Sequence, residues 1–355
     1  MKTILITAAG GAPSINFTRS VKKAKKSYKL IGIDSNEYTI NRAETDHIEL
    51  CPKATDKDYI DYINFLIEKW NIDFIHAQPD IEVGILSENR DKLKCKTFLP
   101  SQKTVKILRN KYESYQHWVK KGIPVPKTVL IRDIDDLYIA YSLFFDDIWF
   151  REIEGAGGKG ALASPSFDYA KEQINENNGW GRYTAAERLT DKTVTWMGLY
   201  FKGELIVGQG RKRLYWEYSK KTQSGVTGMT GTGITTSDKI ITQTAINSIF
   251  AIDENPHGIF SVDMTYDKKG KPRLTEINIG KFFTTHHFFT EAGINFPEIY
   301  LDLAFGKKVK YKNLINPLKD DLYWIRGIDC EPKLIYKKEI IKITELFKKQ
   351  RSELG

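Results

Sequence analysis

Asp263, Glu276 and Asn278 are the residues whose types and spacing most directly imply chemistry. They lie in the stretch 258–281, G-I-F-S-V-D-M-T-Y-D-K-K-G-K-P-R-L-T-E-I-N-I-G-K. Two runs rich in β-branched and aromatic residues flank the polar turn Asp267-Lys268-Lys269-Gly270, a hairpin signal. Centring the turn on Lys269-Gly270 sets Asp263 opposite Glu276, Val262 opposite Ile277 and Phe260 opposite Ile279. Alternation with period two then gathers Asp263, Glu276 and Asn278 on one face, and Phe260, Val262, Met264, Ile277 and Ile279 on the other. Oxygen-only ligands on a rigid ribbon suit Mg²⁺, a hard cation that takes substrate phosphates as further ligands. Opposed carboxylates repel each other unless a cation sits between them. A solvated hairpin would carry the same letters, so a second element has to argue for the phosphates.

That element is glycine-rich. A strand predicted over 147–152 (D-I-W-F-R-E) runs into Gly155-Ala156-Gly157-Gly158-Lys159-Gly160. Glycines at 155, 157, 158 and 160 let the backbone approach an anion and wrap it with N–H groups. Lys159 in the turn and Arg151 on the strand add positive charge. No Gly-Lys-Ser/Thr opens a helix, so this is not the P-loop. A hairpin tip without a ligand is the plainer alternative.

The elements that must position these groups follow from the chain in order. Residues 3–9 read as a buried parallel strand and Ile15 to Lys26 as an amphipathic helix; a second strand, Tyr28 to Ile33, ends at Asp34. The glycines between do not spell G-x-G-x-x-G, so the dinucleotide fingerprint fails. A helix from Tyr59 to Trp70 and a strand at 74–77 bring Gln78, Asp80 and Glu82 to a strand's carboxyl end, where open α/β sheets bind ligands. A helical stretch from Ser101 to Lys121 carries Asn110-Lys111-Tyr112, and Gly122-Ile123-Pro124-Val125-Pro126 marks a crossing. Strands are expected at 194–201 and 205–209, then a mobile loop over 210–233 with Arg211, Arg213, Trp216 and four glycines near its end. Asp238 to Ile252 reads as a helix. His286 and His287 are adjacent, cannot share one face, and are expected in the core or against substrate. The tail after 306 is basic, with a strand pair and an amphipathic helix, Lys338 to Arg351.

The 355 residues suffice for two or three domains. The net charge of +9 is diffuse, and no base-reading motif appears, so the expected partners are small anions rather than nucleic acid. Three scattered cysteines fit a reducing compartment, and no signal segment or membrane-length apolar run is present; a cytoplasmic protein is expected.

From Thr3 to about Gly306 the chain resembles the ATP-grasp superfamily, in its carbamoyl-phosphate-synthase-like, carboxylate–amine ligase branch. The resemblance rests on D-x12-E-I-N at Asp263, Glu276 and Asn278, on G-A-G-G-K-G at 155–160, on I-P-V-P-K between helix and lid, and on the opening I-L-I-T-A-A-G-G-A-P-S-I-N. It implies an α/β fold, α+β toward the C-terminus. The segments would be a Rossmann-like pre-ATP-grasp domain over 1–100, a helical connection over 101–125, a lid over 126–187, a catalytic subdomain over 188–306 and a basic extension over 307–355. It implies ATP and Mg²⁺ as cofactors. Lys111 and Arg151 would contact phosphates, the 155–160 loop would close over them, and Glu187, Arg188 and Leu189 would lie at the adenine edge. Asp263, Glu276 and Asn278 would hold Mg²⁺, and Asn16, Asp80, Arg211 and Arg213 (with Gln78) would face the acceptor.

Two positions depart from that pattern. The acidic ribose contact has no evident counterpart between Asp191 and Thr195, and Ile279-Gly280-Lys281 stands where relatives often carry Pro-Arg. Lys281 would then take over the arginine's work on an acyl phosphate. The expected activity is an ATP-dependent carboxylate–amine ligase, with small-molecule substrates, no membrane partner and a homodimer as an open assembly. The alternatives are an inactive ATP- or ADP-binding regulatory protein and a dinucleotide-dependent oxidoreductase.

Overall fold

The computed structural model describes residues 1–155, 160–222, 224–225, 228–327, 333–342 and 345. The N-terminal part contains β1 (Lys2–Ile6), α1 (Ala12–Lys22), β2 (Tyr28–Asp34), β3 (His47–Leu50), α2 (Tyr59–Trp70), β4 (Phe74–His76) and α3 (Asp80–Glu88). Its strands form a parallel sheet in the order β3-β2-β1-β4. Ile4, Leu5 and Ile6 are fully buried, as expected of a strand covered on both faces. Helix α1 begins three residues before the sequence-based start, because Pro13 fits a first turn whose N–H needs no partner.

The helical stretch after Ser101 is two helices, α4 (Gln102–Arg109) and α5 (Lys111–Lys120). Asn110 breaks it: its backbone is extended, and its side chain accepts from the N–H groups of Tyr112 and Glu113. Lys111 thereby becomes the first residue of α5. Next come β5 (Thr128–Ile131), α6 (Ile134–Phe144), β6 (Ile148–Glu152), β7 (Leu162–Ala163), α7 (Phe167–Glu176) and β8 (Tyr183–Glu187). They build an antiparallel sheet, β5-β8-β6-β7, with its own core around Leu137, Phe150 and Ile174.

The remaining elements are β9 (Thr193–Phe201), β10 (Glu204–Arg213), β11 (Trp216–Glu217), β12 (Met229–Thr230), β13 (Gly233–Thr236), α8 (Lys239–Phe250), β14 (Gly258–Tyr266), β15 (Pro272–Ile279), α9 (His287–Glu291), α10 (Phe296–Ala304), β16 (Leu314–Ile315), β17 (Leu322–Ile325) and β18 (Lys333–Tyr336). The large sheet runs β15-β14-β9-β10-β13-β17-β18, and β16 adds in parallel to β10. Phe260, Val262, Met264, Ile277 and Ile279 enter one continuous core with Trp196, Tyr200, residues of α8 and the N-terminal sheet. Strands β16, β17 and β18 are thus integral to the large sheet, while most of the expected 338–351 helix lies outside the described residues.

Two sequence expectations change here. The expected loop over 210–233 is largely ordered: β10 continues to Arg213, β11 pairs with β12, and β13 closes on β10. Gly231 and Gly233 serve close packing rather than freedom. A Cβ on Gly231 would sit 2.1 Å from the Tyr215 ring, and one on Gly233 2.9 Å from Arg211 Cδ. In the hairpin, Asp263 does face Glu276, but the turn is centred half a residue earlier than expected. A bulge between Asp263 and Met264 inserts Thr275 and restores the register.

Candidate active site

A row of side chains crosses the large sheet at the expected ligands. From β15 to β13 it reads Glu276, Asp263, Thr195, Arg211 and Thr235, each opposite the next. Thr195 Oγ1 donates to Asp263 Oδ1 (2.5 Å) and accepts from Arg211 Nη2 (2.9 Å). Asn278 Nδ2 donates to Asp263 Oδ2 (2.8 Å), and the same side chain helps to lower the Glu276 pKa. Burial, reinforced by the Glu276 charge, pushes the Asp263 carboxyl above its usual range. Burial would raise Glu276 too, but the charges of Lys111, Arg151 and Lys281 outweigh it and hold Glu276 low. The two carboxyls are thus pushed apart in acidity, Asp263 upward and Glu276 downward.

The cations are sorted between the two acids. Around Glu276, Arg151 Nη1 lies 3.6 Å from Oε2, and its Nη2 donates to the carbonyl of Thr275 (2.8 Å). That carbonyl belongs to the bulge residue, so the irregularity positions the guanidinium. Lys111 is tied down twice: its backbone N–H donates to Ile153 O (2.8 Å) and its Nζ to Gly155 O (2.7 Å). Burial lowers the Lys111 pKa, with the nearby Glu276 opposing the shift. Lys281 Nζ pairs with Asp80 Oδ2 (2.5 Å), joining the end of β15 to the first turn of α3. Around Asp263 stand Arg211 and Arg213. Arg213 donates to Thr230 Oγ1 (2.9 Å) and Thr193 Oγ1 (2.5 Å) and lies 3.4 Å from the Trp216 ring centroid.

Between the β5-β8-β6-β7 sheet and the large sheet opens a cavity of about 170 Å³. Arg151, Glu187, Arg188, Leu189 and Glu276 line it, so one opening joins three of the expected groups. The Glu187 carboxylate also accepts from the N–H of Lys127 (3.0 Å), and Arg188 Nη1 donates to Ser164 Oγ (3.0 Å). Trp149, Asp191 and Trp216 line it as well and were not assigned from sequence. Of the glycine turn, Gly155 and Gly160 have positive φ (116° and 73°), conformations that favour glycine. Gly157, Gly158 and Lys159 lie outside the described residues.

The acceptor-side residues are only partly brought together. Asn16 Nδ2 donates to the carbonyl of Thr284 (2.7 Å), and Gln78 Nε2 to that of Phe282 (2.7 Å), so both brace the segment after β15. Asp80 and Arg211 do reach the carboxylate pair's surroundings, through Lys281 and Thr195 respectively. His286 is fully buried, its ring 4.8 Å from that of Phe282; burial drops its pKa to about 3. His287 reveals a constellation that spacing concealed: its Nδ1 meets Ser20 Oγ (2.8 Å) and its Nε2 meets Glu291 Oε1 (2.8 Å). Ser20 has no exposure and already accepts from Thr290 Oγ1 (3.0 Å), so this serine–histidine–acid line braces α1 against α9 rather than reaching a substrate. Among the described residues no three His, Cys, Asp or Glu side chains gather, and no helix is long and apolar enough to cross a membrane.

Residues 4–98 match the family described as PylC-like, N-terminal domain. The N5-carboxyaminoimidazole synthetase of Staphylococcus aureus, solved with ADP, is 15% identical with a TM-score of 0.71, over 92% of this chain and 82% of its own. The biotin carboxylase domain of 2-oxoglutarate carboxylase from Hydrogenobacter thermophilus, solved with MgADP, ADP and bicarbonate, is 14% identical (TM-score 0.69, 91% and 73% covered). The L-amino acid ligase of Bacillus licheniformis is 12% identical (TM-score 0.67, 91% and 79% covered). No match was found among curated proteins. At these identities the likeness is one of architecture: the chain has the ATP-grasp fold.

Proposed function

We propose that this chain is an Mg²⁺- and ATP-dependent ligase that activates a substrate carboxylate for attack by an amine or similar nucleophile. The observation that carries the reading is the Asp263–Glu276–Asn278 cluster opening, through Glu276 and Arg151, onto the cavity lined by Glu187, Arg188 and Leu189. An all-oxygen donor set suits a hard cation, and two carboxyls set opposite each other, one raised in pKa by burial and by its neighbour's charge, gain from a cation between them. Asp263, Glu276 and the Asn278 amide oxygen would hold Mg²⁺, which when bound neutralises phosphate oxygens. For that, the Asn278 amide turns its oxygen toward the carboxylates.

In this reading Lys111 and Arg151 grip phosphate oxygens and Lys281 faces the acceptor carboxylate. The carboxylate takes the γ-phosphoryl group of ATP and ADP leaves; the nucleophile then displaces phosphate from the acyl carbon. Such transfer asks the protein mainly for position and charge, so no nucleophilic side chain is required. ADP release from ATP in the presence of Mg²⁺, over a panel of carboxylates with amines, tests the proposal. Glu276→Ala and Asn278→Ala are expected to abolish that release at an unchanged melting temperature. Wild-type turnover in either variant removes it from the metal set.

A second reading has its own observation. Gly280 has φ +70°, and a Cβ there would come 2.9 Å from Val83 Cγ1, so an arginine at that position would strain the backbone and displace Val83. Lys281 is already paired with Asp80. A nucleotide-binding protein without catalysis is what remains if ADP is bound and never produced.

A further inference from the structure

Trp216 lines the cavity from a strand too short to hold it. Strands β11 and β12 are two residues each, and so short a ladder is marginal alone. Side chains supply the hold. Tyr215 packs on Gly231, where a Cβ would sit 2.1 Å from the ring, and its Oη accepts from Thr232 Oγ1 (3.2 Å). Arg213 does more: its guanidinium lies 3.4 Å from the Trp216 ring centroid, while its Nε donates to Thr230 Oγ1 (2.9 Å) and its Nη1 to Thr193 Oγ1 (2.5 Å). Thr230 is the cross-strand partner of Trp216, and Thr193 that of Arg213. One planar group thus ties the β11–β12 pair to the large sheet and backs the indole. The carboxylates of Asp263 and Glu276 oppose its charge, so it needs no further anion.

The register fixes where that indole stands. Thr265, Thr193 and Arg213 form a row on the sheet face that carries Asp263, Thr195 and Arg211, two residues away along each strand. The offset is about 7 Å, two strand residues. It runs toward the start of β9, into which Leu189 and Asp191 lead. Asp191, Thr193 and Thr265 line the cavity on this side, whereas Glu276 lines it beside the Asp263 row. Because its ring lies over Arg213, Trp216 belongs to the side away from the groups that suit metal and phosphate.

We infer that the cavity side of the Trp216 indole is a contact surface for the nucleoside of a bound nucleotide, and that Arg213 is a positioning residue that sets nucleotide affinity by holding this ring. The inference rests on the ligase reading only in giving the cavity to a nucleotide. It assigns Arg213 to the nucleotide rather than to the acceptor. A flat apolar ring suits a base or a ribose and does nothing to neutralise phosphate. The plane of the guanidinium matters as well as its charge, because it stacks on the ring while bonding hydroxyls on two separate strands. An ammonium in its place would keep the charge and lose the stack.

Calorimetric titration of the full chain with MgADP, and with magnesium tripolyphosphate, which has no nucleoside, tests this. Trp216→Ala is expected to weaken MgADP about tenfold, the scale of one aromatic–base contact, and tripolyphosphate by less than about twofold. Trp216→Phe is expected to recover most of that loss. Arg213→Met is expected to weaken MgADP about threefold, the scale of one cation–ring contact, and to add nothing once Trp216 is alanine. Arg213→Lys is expected to match Arg213→Met. Thr230→Val removes one tie and keeps ring and charge, so it serves where Arg213→Met fails to fold; it too is expected to weaken MgADP and spare tripolyphosphate. Unchanged MgADP affinity in Trp216→Ala, equal weakening of both probes, full affinity in Arg213→Lys, or a further loss from Arg213→Met in the Trp216→Ala background overturns the inference. MgADP binding that depends on Trp216, in a protein that never forms ADP from ATP, would instead defeat the ligase reading alone.

Discussion

The two sides of the carboxylate pair are built on opposite principles. On the Glu276 side every cation already has a protein partner: Lys111 holds Gly155 O, Arg151 holds Thr275 O and faces Glu276, and Lys281 holds Asp80. On the Asp263 side Arg211 and Arg326 retain donors that nothing protein-borne satisfies. Burial pushes Arg211 down only to about 10, so it stays charged at neutral pH and cannot discard its cost by losing a proton. One side is preorganised and near neutral, fit to exchange its own contacts for a mobile polyanion. The other holds a buried cation that meets its opposing carboxylate, Asp263, only through Thr195. Preorganised donors stabilise charge as it develops, whereas unpaired ones select what enters.

The sharpest way to break this comparison is to remove one cation from each side. Arg151→Ala is expected to lower the rate of ADP formation by about 10²–10³-fold, as loss of one preorganised donor does, and to weaken MgATP binding. Arg211→Ala is expected to lower nucleotide affinity less than Arg151→Ala does, because Arg211 reaches the carboxylates only through Thr195 and does not line the cavity. Calorimetric titration of MgATP into both variants reads the difference. Equal losses of nucleotide affinity would mean that the two sides form one site, and the division would fall.

The sequence made the Glu276 side legible and the Asp263 side largely not. Asp263, Glu276 and Asn278 could be placed because a strand's side-chain period is two and a polar turn fixes the pairing. The half-residue error in the turn was harmless only because the Thr275 bulge cancelled it. Lys111 and Arg151 came from the family resemblance, not from spacing: nothing local says that Asn110 would break a helix to present Lys111. Arg211 was taken for part of a loop, since glycines and hydroxyls are turn formers in isolation and close-packing devices once Tyr215 and Arg211 lie across them. Arg326 carried no signal at all; it stands two residues beyond Trp324, whose pairing with distant Gly233 only the fold supplies. Asp191 and Trp216 were missed for the same reason, as cavity walls joined by tertiary contact.

A smaller effect sharpens the Glu276 side from within. Lys281 is held by Asp80 at 2.5 Å, in the half-buried junction between α3 and β15. If it serves the acceptor carboxylate, Lys281→Ala lowers kcat about 10–100-fold with MgATP affinity preserved, the range expected of one charged contact made in the transition state. Asp80→Asn is expected to change kcat by less, since it frees the ammonium rather than removing it. A kcat unchanged in Lys281→Ala assigns the pair to holding the two sheets together. The melting temperature of the same variant would then fall.

The smallest effect comes from a buried charge that can escape, which is the contrast Arg211 needs. Glu82 on α3 is 7% exposed, accepts from Tyr59 Oη (3.0 Å), and pairs with no cation among the described residues. Burial lifts its pKa from 4.5 to about 7, with hydrogen bonds from Thr7 and Tyr59 opposing the rise. A carboxyl whose folded pKa exceeds the unfolded one takes up a proton on folding. Its contribution is therefore fully present below about 4.5, declines as pH rises toward about 7, and is flat above. The loss across that window is about 2 kcal/mol, discounted from the full shift because denatured chains retain some burial. Glu82→Gln keeps a group that Tyr59 can bond and cannot ionise, so urea unfolding of the variant should lack this decline, leaving the variant the more stable form at about pH 8. Identical pH profiles for both proteins would show that Glu82 is solvated when charged. A guanidinium has no such exit near neutral pH, so Arg211 stays charged, with Asp263 across Thr195 as its opposing charge, where Glu82 can titrate.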